Sequence, residues 1–319
     1  MRIVIAIPTF RRPELLAALL AALPERIAEL DPGDRAAVLV VDNDPSGSAA
    51  ATVASCPLPA RFVVETGAGV AHVRNRALDE ADNALRAIGE TGADALVFID
   101  DDEVPEPGWL RSLVDTWRAY DCAAVMGTVR SDLPADLDPW LVATGTFRRA
   151  SHPTGTEMPA AATGNLLLDL ARVRRVGARF DPRLSLTGGE DTLFTRALVR
   201  AGERIVWCAE SVAVDTVVPE RLTRDWARER AYMRGNATVH IALMEATGPA
   251  RISVLRCGFA LGGAARILCG LLLRAAGRLV SRPDTDAHGW RVLHRGRGML
   301  AAAAGYVHRA YARDRQNNR

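Results

Sequence analysis

Apolar residues in the first half of the chain come in short runs of four or five, many of them β-branched, set apart by longer stretches with helical spacing. Residues 3–7, 37–41, 61–64, 96–99 and 123–126 read as strands, each bounded by turn-forming or charged residues. Residues 13–23, 70–88 and 109–120 read as helices, with Pro13 suited to a first turn and Pro24 predicting the end of its helix. Continuous apolar strands alternating with helices predict an α/β fold, a mostly parallel central sheet with helices on both faces.

Polar residues follow these strands at their carboxyl ends: Thr9, then Asp42-Asn43-Asp44, Thr66-Gly67 and Asp100-Asp101-Asp102. In an open α/β sheet such ends share one edge, where ligands bind, so the acidic groups are expected to line one crevice. Residues 131–163, with their prolines and scattered small and polar residues, predict a long, partly ordered lid-like segment. Two short strands are expected at 204–208 and 211–214. After Pro219 the pattern is helical and arginine-rich to the end, which divides the chain into a binding and catalytic domain, 1–219, and an α-helical C-terminal region, 220–319.

Charge changes this picture only when it is divided. The net +2 hides 18 arginines against 7 acids from Glu220 onward and 22 against 31 before it. A basic final third can point to an anionic partner. All 40 basic residues are arginine, and because they are spread along the whole chain the bias fits codon composition better than arginine-specific recognition. Nucleic acid is not expected as a partner, since the basic residues lack interleaved stacking aromatics. The apolar run at the N-terminus is too short for a secretory signal, so a cytoplasmic location is expected. Five cysteines without C-x-x-C spacing argue against a disulfide framework or structural zinc and read as buried fillers.

Four arginines (Arg256, Arg266, Arg274, Arg278) interrupt the apolar stretch 251–282, which predicts no membrane crossing. Three of them, Arg256, Arg274 and Arg278, fall within about 40° of one helical face, leaving a wide apolar surface opposite. Two covers remain open for it. One is protein, either the catalytic domain or a second subunit in a homodimer. The other is anionic lipid at the inner face of the cell membrane.

The residues that can carry chemistry are mostly acidic. Four carboxylates packed at a strand end (100–103) repel one another unless a hard divalent cation such as Mg²⁺ or Mn²⁺ takes their oxygens, although a solvated acidic turn is the plain alternative. Asp42-Asn43-Asp44 can meet a pyrimidine or ribose, or simply form an Asx turn. Gly67-Ala68-Gly69 before Arg74 and Asn75 can seat phosphate near a helix start, but it lacks the dinucleotide-binding spacing. His72 reads as structural. Glu190-Asp191, glycine-flanked at a helix start, offers a general base, or only a favourable acid in a first turn.

Taken in order, these segments resemble family 2 glycosyltransferases of the GT-A fold, from Ile3 to about Trp226. The run from Ile7 through Pro8, Thr9, Phe10, Arg11 and Arg12 is similar to the family's opening nucleotide loop. Val41-Asp42-Asn43-Asp44 resembles its base-binding turn, and the stretch from Gly69 through Arg74 and Asn75 its Arg-Asn segment. Phe98 to Asp102 resembles the strand and D-x-D motif, which implies that Asp100 and Asp101 meet the nucleotide sugar and Asp102 the metal. Gly164-Asn165 and Glu190 resemble the donor and acceptor sugar half, with Asp191 implied as catalytic base. The resemblance implies direct displacement with inversion, moving one sugar from a nucleoside-diphosphate sugar to a hydroxyl acceptor.

Two departures stand out. Asp215 follows Val214 where family members often carry histidine. The Gln-x-x-Arg-Trp of processive synthases is absent, Arg224-Asp225-Trp226 being a partial echo, so single-sugar transfer is expected. A catalytically silent nucleotide-sugar binding or assembly protein is the competing reading. A nucleotidyltransferase is disfavoured by Glu190-Asp191 and by the lack of a basic glycine-rich opening loop.

Overall fold

The computed structural model describes residues 1–309, which fall into two compact units. The first comprises Met1–Asp132, Arg149–Ser185 and Glu190–Thr216; the second Leu133–Arg148, Leu186–Gly189 and the chain from Val217 onward. Along the chain the first unit holds β1 (Arg2–Thr9), α1 (Pro13–Ala28), β2 (Arg35–Asp42), α2 (Ala50–Ala54), β3 (Ala60–Val64), α3 (Val70–Leu85), β4 (Ala95–Ile99), β5 (Glu103–Pro105), α4 (Trp109–Tyr120) and β6 (Ala124–Asp132). After α5 (Pro139–Thr144), which belongs to the second unit, it continues with β7 (Asn165–Asp169), α6 (Leu170–Val176), α7 (Glu190–Arg200) and β8 (Ile205–Thr216).

The eight strands form one sheet in the order β3-β2-β1-β4-β7-β6-β8-β5. Strands β3, β2, β1 and β4 run parallel, so their carboxyl ends share an edge, with Thr9 beside Asp42 and Asp42 beside Val64 in register. Beyond β4 the pairing is mixed: β7 is antiparallel to β4 and β6, β6 is parallel to β8, and β5 is antiparallel to β8. Alternation along β1 explains the two layers of core. Ile3, Ile5 and Ile7 pack with Leu16, Leu19 and Leu23 of α1, while Val4 and Ala6 face the side of Ala77, Ala81 and Ala84 of α3.

Several boundaries differ from the sequence reading. Pro24 does not end α1, which runs on to Ala28; the buried leucine face outweighs the single backbone bond that proline forfeits. The two late strands are one, β8, bent where its register with β6 shifts between Gly127 and Thr128. The segment 131–163 is partly built, holding α5 and an isolated bridge from Glu157 to Val206. Only Cys122 and Cys208 are buried; Cys257 and Cys269 are exposed.

The second unit is helical: α5, α8 (Arg224–Met244), α9 (Pro249–Leu279) and α10 (Pro283–Ala303). Trp140 of α5 meets the Trp290 ring edge-on at 5.9 Å, and Arg224 lies over Trp140. α9 is long and apolar enough to cross a membrane by length and composition, contrary to the expectation from its arginines, because only Arg266 is charged between Arg256 and Arg274. Helix ends at Ala303, residues 306–309 are irregular, and the helix expected over 310–319 lies outside the described residues.

Candidate active site

The crevice begins where β1 and β4 end. Thr9 Oγ1 donates to Asp101 at 2.8 Å, and Arg12 Nη1 donates to Asp101 at 3.1 Å and to Asp102 at 3.0 Å. The opening loop and the acidic run are thus tied together across ninety residues of sequence. Pro8 and Phe10 flank Thr9 half-buried, and Arg11 lies over the Phe10 ring.

The floor is unusually acidic. Glu103 is buried, its carboxyl accepts from the Asp100 backbone amide at 3.2 Å, and in register it lies opposite Asp215. Gly164 is there because space is short: a Cβ would stand 2.7 Å from Glu103 Oε1 and 3.3 Å from Asp100 Oδ2. Arg149 bonds Asp215, so the aspartate at the position where histidine was expected is held by an arginine.

Arg74, buried on α3, joins the two halves of the site. It pairs with Glu190 at the start of α7 and lies 3.7 Å from Asp100 at the end of β4. The Asp191 carboxylate beside Glu190 is half-buried and accepts from the Thr192 amide and hydroxyl. Arg74 thus links Glu190 to Asp100, and Glu103 lies beside Asp100 and opposite Asp215, a set wider than the groups of residues 42–44 and 100–102 expected on the shared strand edge.

Three expected binding residues are occupied elsewhere. Asp42 is fully buried and accepts from the amides of Asp44 and Ala49 and from Ser48 Oγ, so its carboxylate shapes its own loop as an Asx turn. Asn75 uses both side-chain functions on the backbone of Phe180. Asn165 is buried between strands, accepting from Trp109 Nε1 at 2.9 Å and donating to the carbonyls of Thr128 and Ser211. Their polarity was legible in sequence but their orientation was not.

Other residues were underrated. Asn43 donates to the carbonyls of Glu65 and Gly67 and accepts from Gly69 N, locking the β2 loop to the entry of α3. Arg11 holds Asp44, pulling its carboxyl down to about 2. Gly69 has φ 102 and ψ 163, a conformation essentially reserved for glycine, and a Cβ there would stand 2.5 Å from the Ser185 carbonyl oxygen. Gly69→Ala is expected to destabilise the fold by about 2 kcal/mol or more, and a denaturant titration checks it.

Burial pushes the acidic floor upward in pKa. Asp101 rises to about 6, despite Arg12 and the Thr9 bond, and Glu190 to about 7, despite Arg74. Glu103 is raised well above its ordinary value by burial and by Asp100 and Asp102. A carboxyl raised on folding lends stability that is full below its unfolded value and lost as pH rises through its folded one. For Asp101 that interval starts at 3.8 and for Glu190 at 4.5. Buried His294, its pKa lowered to about 4, contributes in the opposite sense over the same interval. The thermal midpoint of the wild type without added cation, taken relative to that of Glu190→Gln, should therefore fall by several degrees between roughly pH 4 and pH 7. A difference that rises across that interval would overturn this reading of the floor.

Mg²⁺ or Mn²⁺ suits the donor chemistry. The oxygens are hard, and among the described residues no three His, Cys, Asp or Glu side chains are gathered as a preformed cage. A cation bound by one or two carboxylates, with diphosphate oxygens and water completing its shell, needs no such cage.

Known proteins agree with this architecture. The family model described as Glycosyl transferase family 2 matches residues 4–169. The succinoglycan biosynthesis protein ExoM of Rhizobium meliloti (strain 1021) is 32% identical over 254 residues, 76% of this chain and 76% of that protein. Among solved structures, the mannosyltransferase PcManGT of Pyrobaculum calidifontis, in complex with GDP-Man and Mn²⁺, aligns with TM-score 0.55 at 18% identity over 99% of this chain and 79% of that one. TarS of S. aureus aligns with TM-score 0.51 at 15% identity over 92% of this chain, which spans 55% of TarS. At such identities the structural likeness bears on fold alone, and that fold is of the GT-A type. With a family model over more than half of its length and a relative matched over three quarters of it, the chain belongs to glycosyl transferase family 2 and is a glycosyltransferase.

Proposed function

We propose that this enzyme moves one sugar from a nucleoside-diphosphate donor to an acceptor hydroxyl, with inversion and with a divalent cation bound. The observation that carries this is Arg74, which brings Asp100 at the end of β4 and Glu190 at the start of α7 to one crevice. ExoM being a biosynthesis protein and the GDP-Man and Mn²⁺ bound to PcManGT support the same reading.

Thr9 and Arg12 orient the acidic run, and the loop braced by Asp42 and Asn43 offers the edge where a nucleoside base would lie. Asp102, with Asp100 beside it, would hold Mg²⁺ or Mn²⁺, which neutralises charge developing on the diphosphate leaving group. Arg74 keeps Glu190 in place at the sugar side. Asp191 takes the proton from the acceptor hydroxyl as that oxygen attacks the anomeric carbon. Residues 1–219 supply this chemistry, and the helices beyond are assigned a docking role.

The test is a panel of nucleotide sugars with Mg²⁺ or Mn²⁺, read by thermal stabilisation and then by donor hydrolysis. A shift with one donor and release of its nucleoside diphosphate is the expected result. Stabilisation without any turnover, with acceptors of every class, would instead leave a binding protein.

A further inference from the structure

Helix α9 carries five arginines and no acidic residue. Its buried residues are Gly263, Gly270 and Gly277, one every seven positions. A Cβ on Gly270 would stand 2.6 Å from Leu293 N, on Gly277 2.6 Å from Asp286 N, and on Gly263 3.0 Å from Gly296 O. α9 and α10 are therefore in backbone contact along a glycine seam, and nothing larger fits between them.

The opposite face is bare. Val254, Leu261, Leu268, Leu272 and Leu279 are between 60% and 87% exposed. At 100° per residue these five fall within about 40° of one another, diametrically opposite the seam. The row runs most of the length of a helix about 46 Å long. By the same rotation Arg251 and Arg278 stand about 80° and 100° from the middle of the row, one on each flank, whereas Arg256, Arg266 and Arg274 turn about 140° away, beside the seam. Arg251 is exposed and has no acidic partner among the described residues, and Arg278, exposed too, shares Asp286 with Arg274.

We propose that this leucine row docks flat on an anionic lipid bilayer, with the flanking arginines reaching the phosphate headgroups. Charge selects this occupant. A second copy would present the same acid-free helix, setting arginine against arginine, whereas an anionic membrane supplies the missing negative charge. The seam selects the orientation. A crossing helix would have to abandon α10 or carry Asp284, Asp286, Arg291, Arg295 and Arg297 into hydrocarbon, while a helix lying in the interface keeps α10 on the water side. Long apolar windows flanked by arginine suit either placement, and only the glycine packing separates them.

The test uses the full chain and flotation with vesicles of phosphatidylcholine alone or mixed with phosphatidylglycerol. Flotation with the mixed vesicles only is expected, weakened by high salt. Leu268→Glu/Leu272→Glu, on the exposed row, should lower the bound fraction by about tenfold or more without moving the thermal midpoint. Arg251→Gln/Arg278→Gln should weaken binding to the anionic vesicles and serves if the first variant folds poorly. Wild-type protein that stays at the bottom of the gradient, or floats equally well with either vesicle, overturns the proposal. So does a dimer that the leucine variant splits, which would make the row a subunit contact. The proposal stands apart from sugar transfer, since flotation is read without donor or acceptor.

Discussion

Asp191→Asn lowers turnover on the order of a hundredfold or more, the magnitude expected when a positioned general base is lost. The substitution keeps the shape of the side chain and its place in the first turn of α7. Its oxygen still accepts from Thr192, so neither folding nor donor affinity should change much. The loss should therefore fall on kcat, with the donor KM close to that of the wild type. Near-normal turnover would remove Asp191 from the mechanism and shift attention to Glu190, whose raised pKa makes it a poorer base below about 7 and which is engaged by Arg74.

The second large effect is at Asp102. In Asp102→Asn, the divalent concentration needed for half-maximal donor-dependent stabilisation should rise by at least about tenfold. That is a lower bound, because altering an outer-shell partner alone typically costs about 10- to 100-fold in metal affinity. Arg12 keeps its bond to Asp101, so the loop stays anchored and the change reports on the cation. Isothermal titration of Mn²⁺ with a nucleoside diphosphate present measures it. An unchanged titration would mean that Arg12 and Arg149, already bonded to Asp102 and Asp215, provide the positive charge for the diphosphate without a metal.

Much of the site was legible because apolar strands that end in polar residues leave few arrangements. Parallel neighbours align their carboxyl ends, and so strand direction alone puts Thr9, Asp42 and Asp100 on one edge. Orientation was a different matter. Asp42, Asn75 and Asn165 are each polar residues at site-like positions, yet all three spend their hydrogen bonds on buried backbone or loop groups. A one-dimensional pattern holds no information about which way a buried amide points, because that depends on unpaired backbone groups contributed by distant segments. β7 is hidden in the sequence for a different reason, since Leu166-Leu167-Leu168 is a short run of residues without β-branching that suits a buried helix as well as a strand.

Local rules also yielded to packing. Pro24 is a stop signal by its missing amide, but Leu16, Leu19, Leu20 and Leu23 bury a continuous face that carries α1 past it. The arginines of α9 signalled an amphipathic helix, while the seam of Gly263, Gly270 and Gly277 revealed which face is packed and which is bare.

By itself the sequence determined the alternation of strand and helix, the edge on which acidic residues gather, and the arginine excess of the final third, because periodicity, strand direction and charge are local or additive properties. Tertiary structure alone decided that Arg74 joins Asp100 to Glu190, that Arg149 holds Asp215, and that three polar residues face inward. Those facts depend on which groups meet across a hundred residues of chain, and only the folded packing of one segment against another settles that.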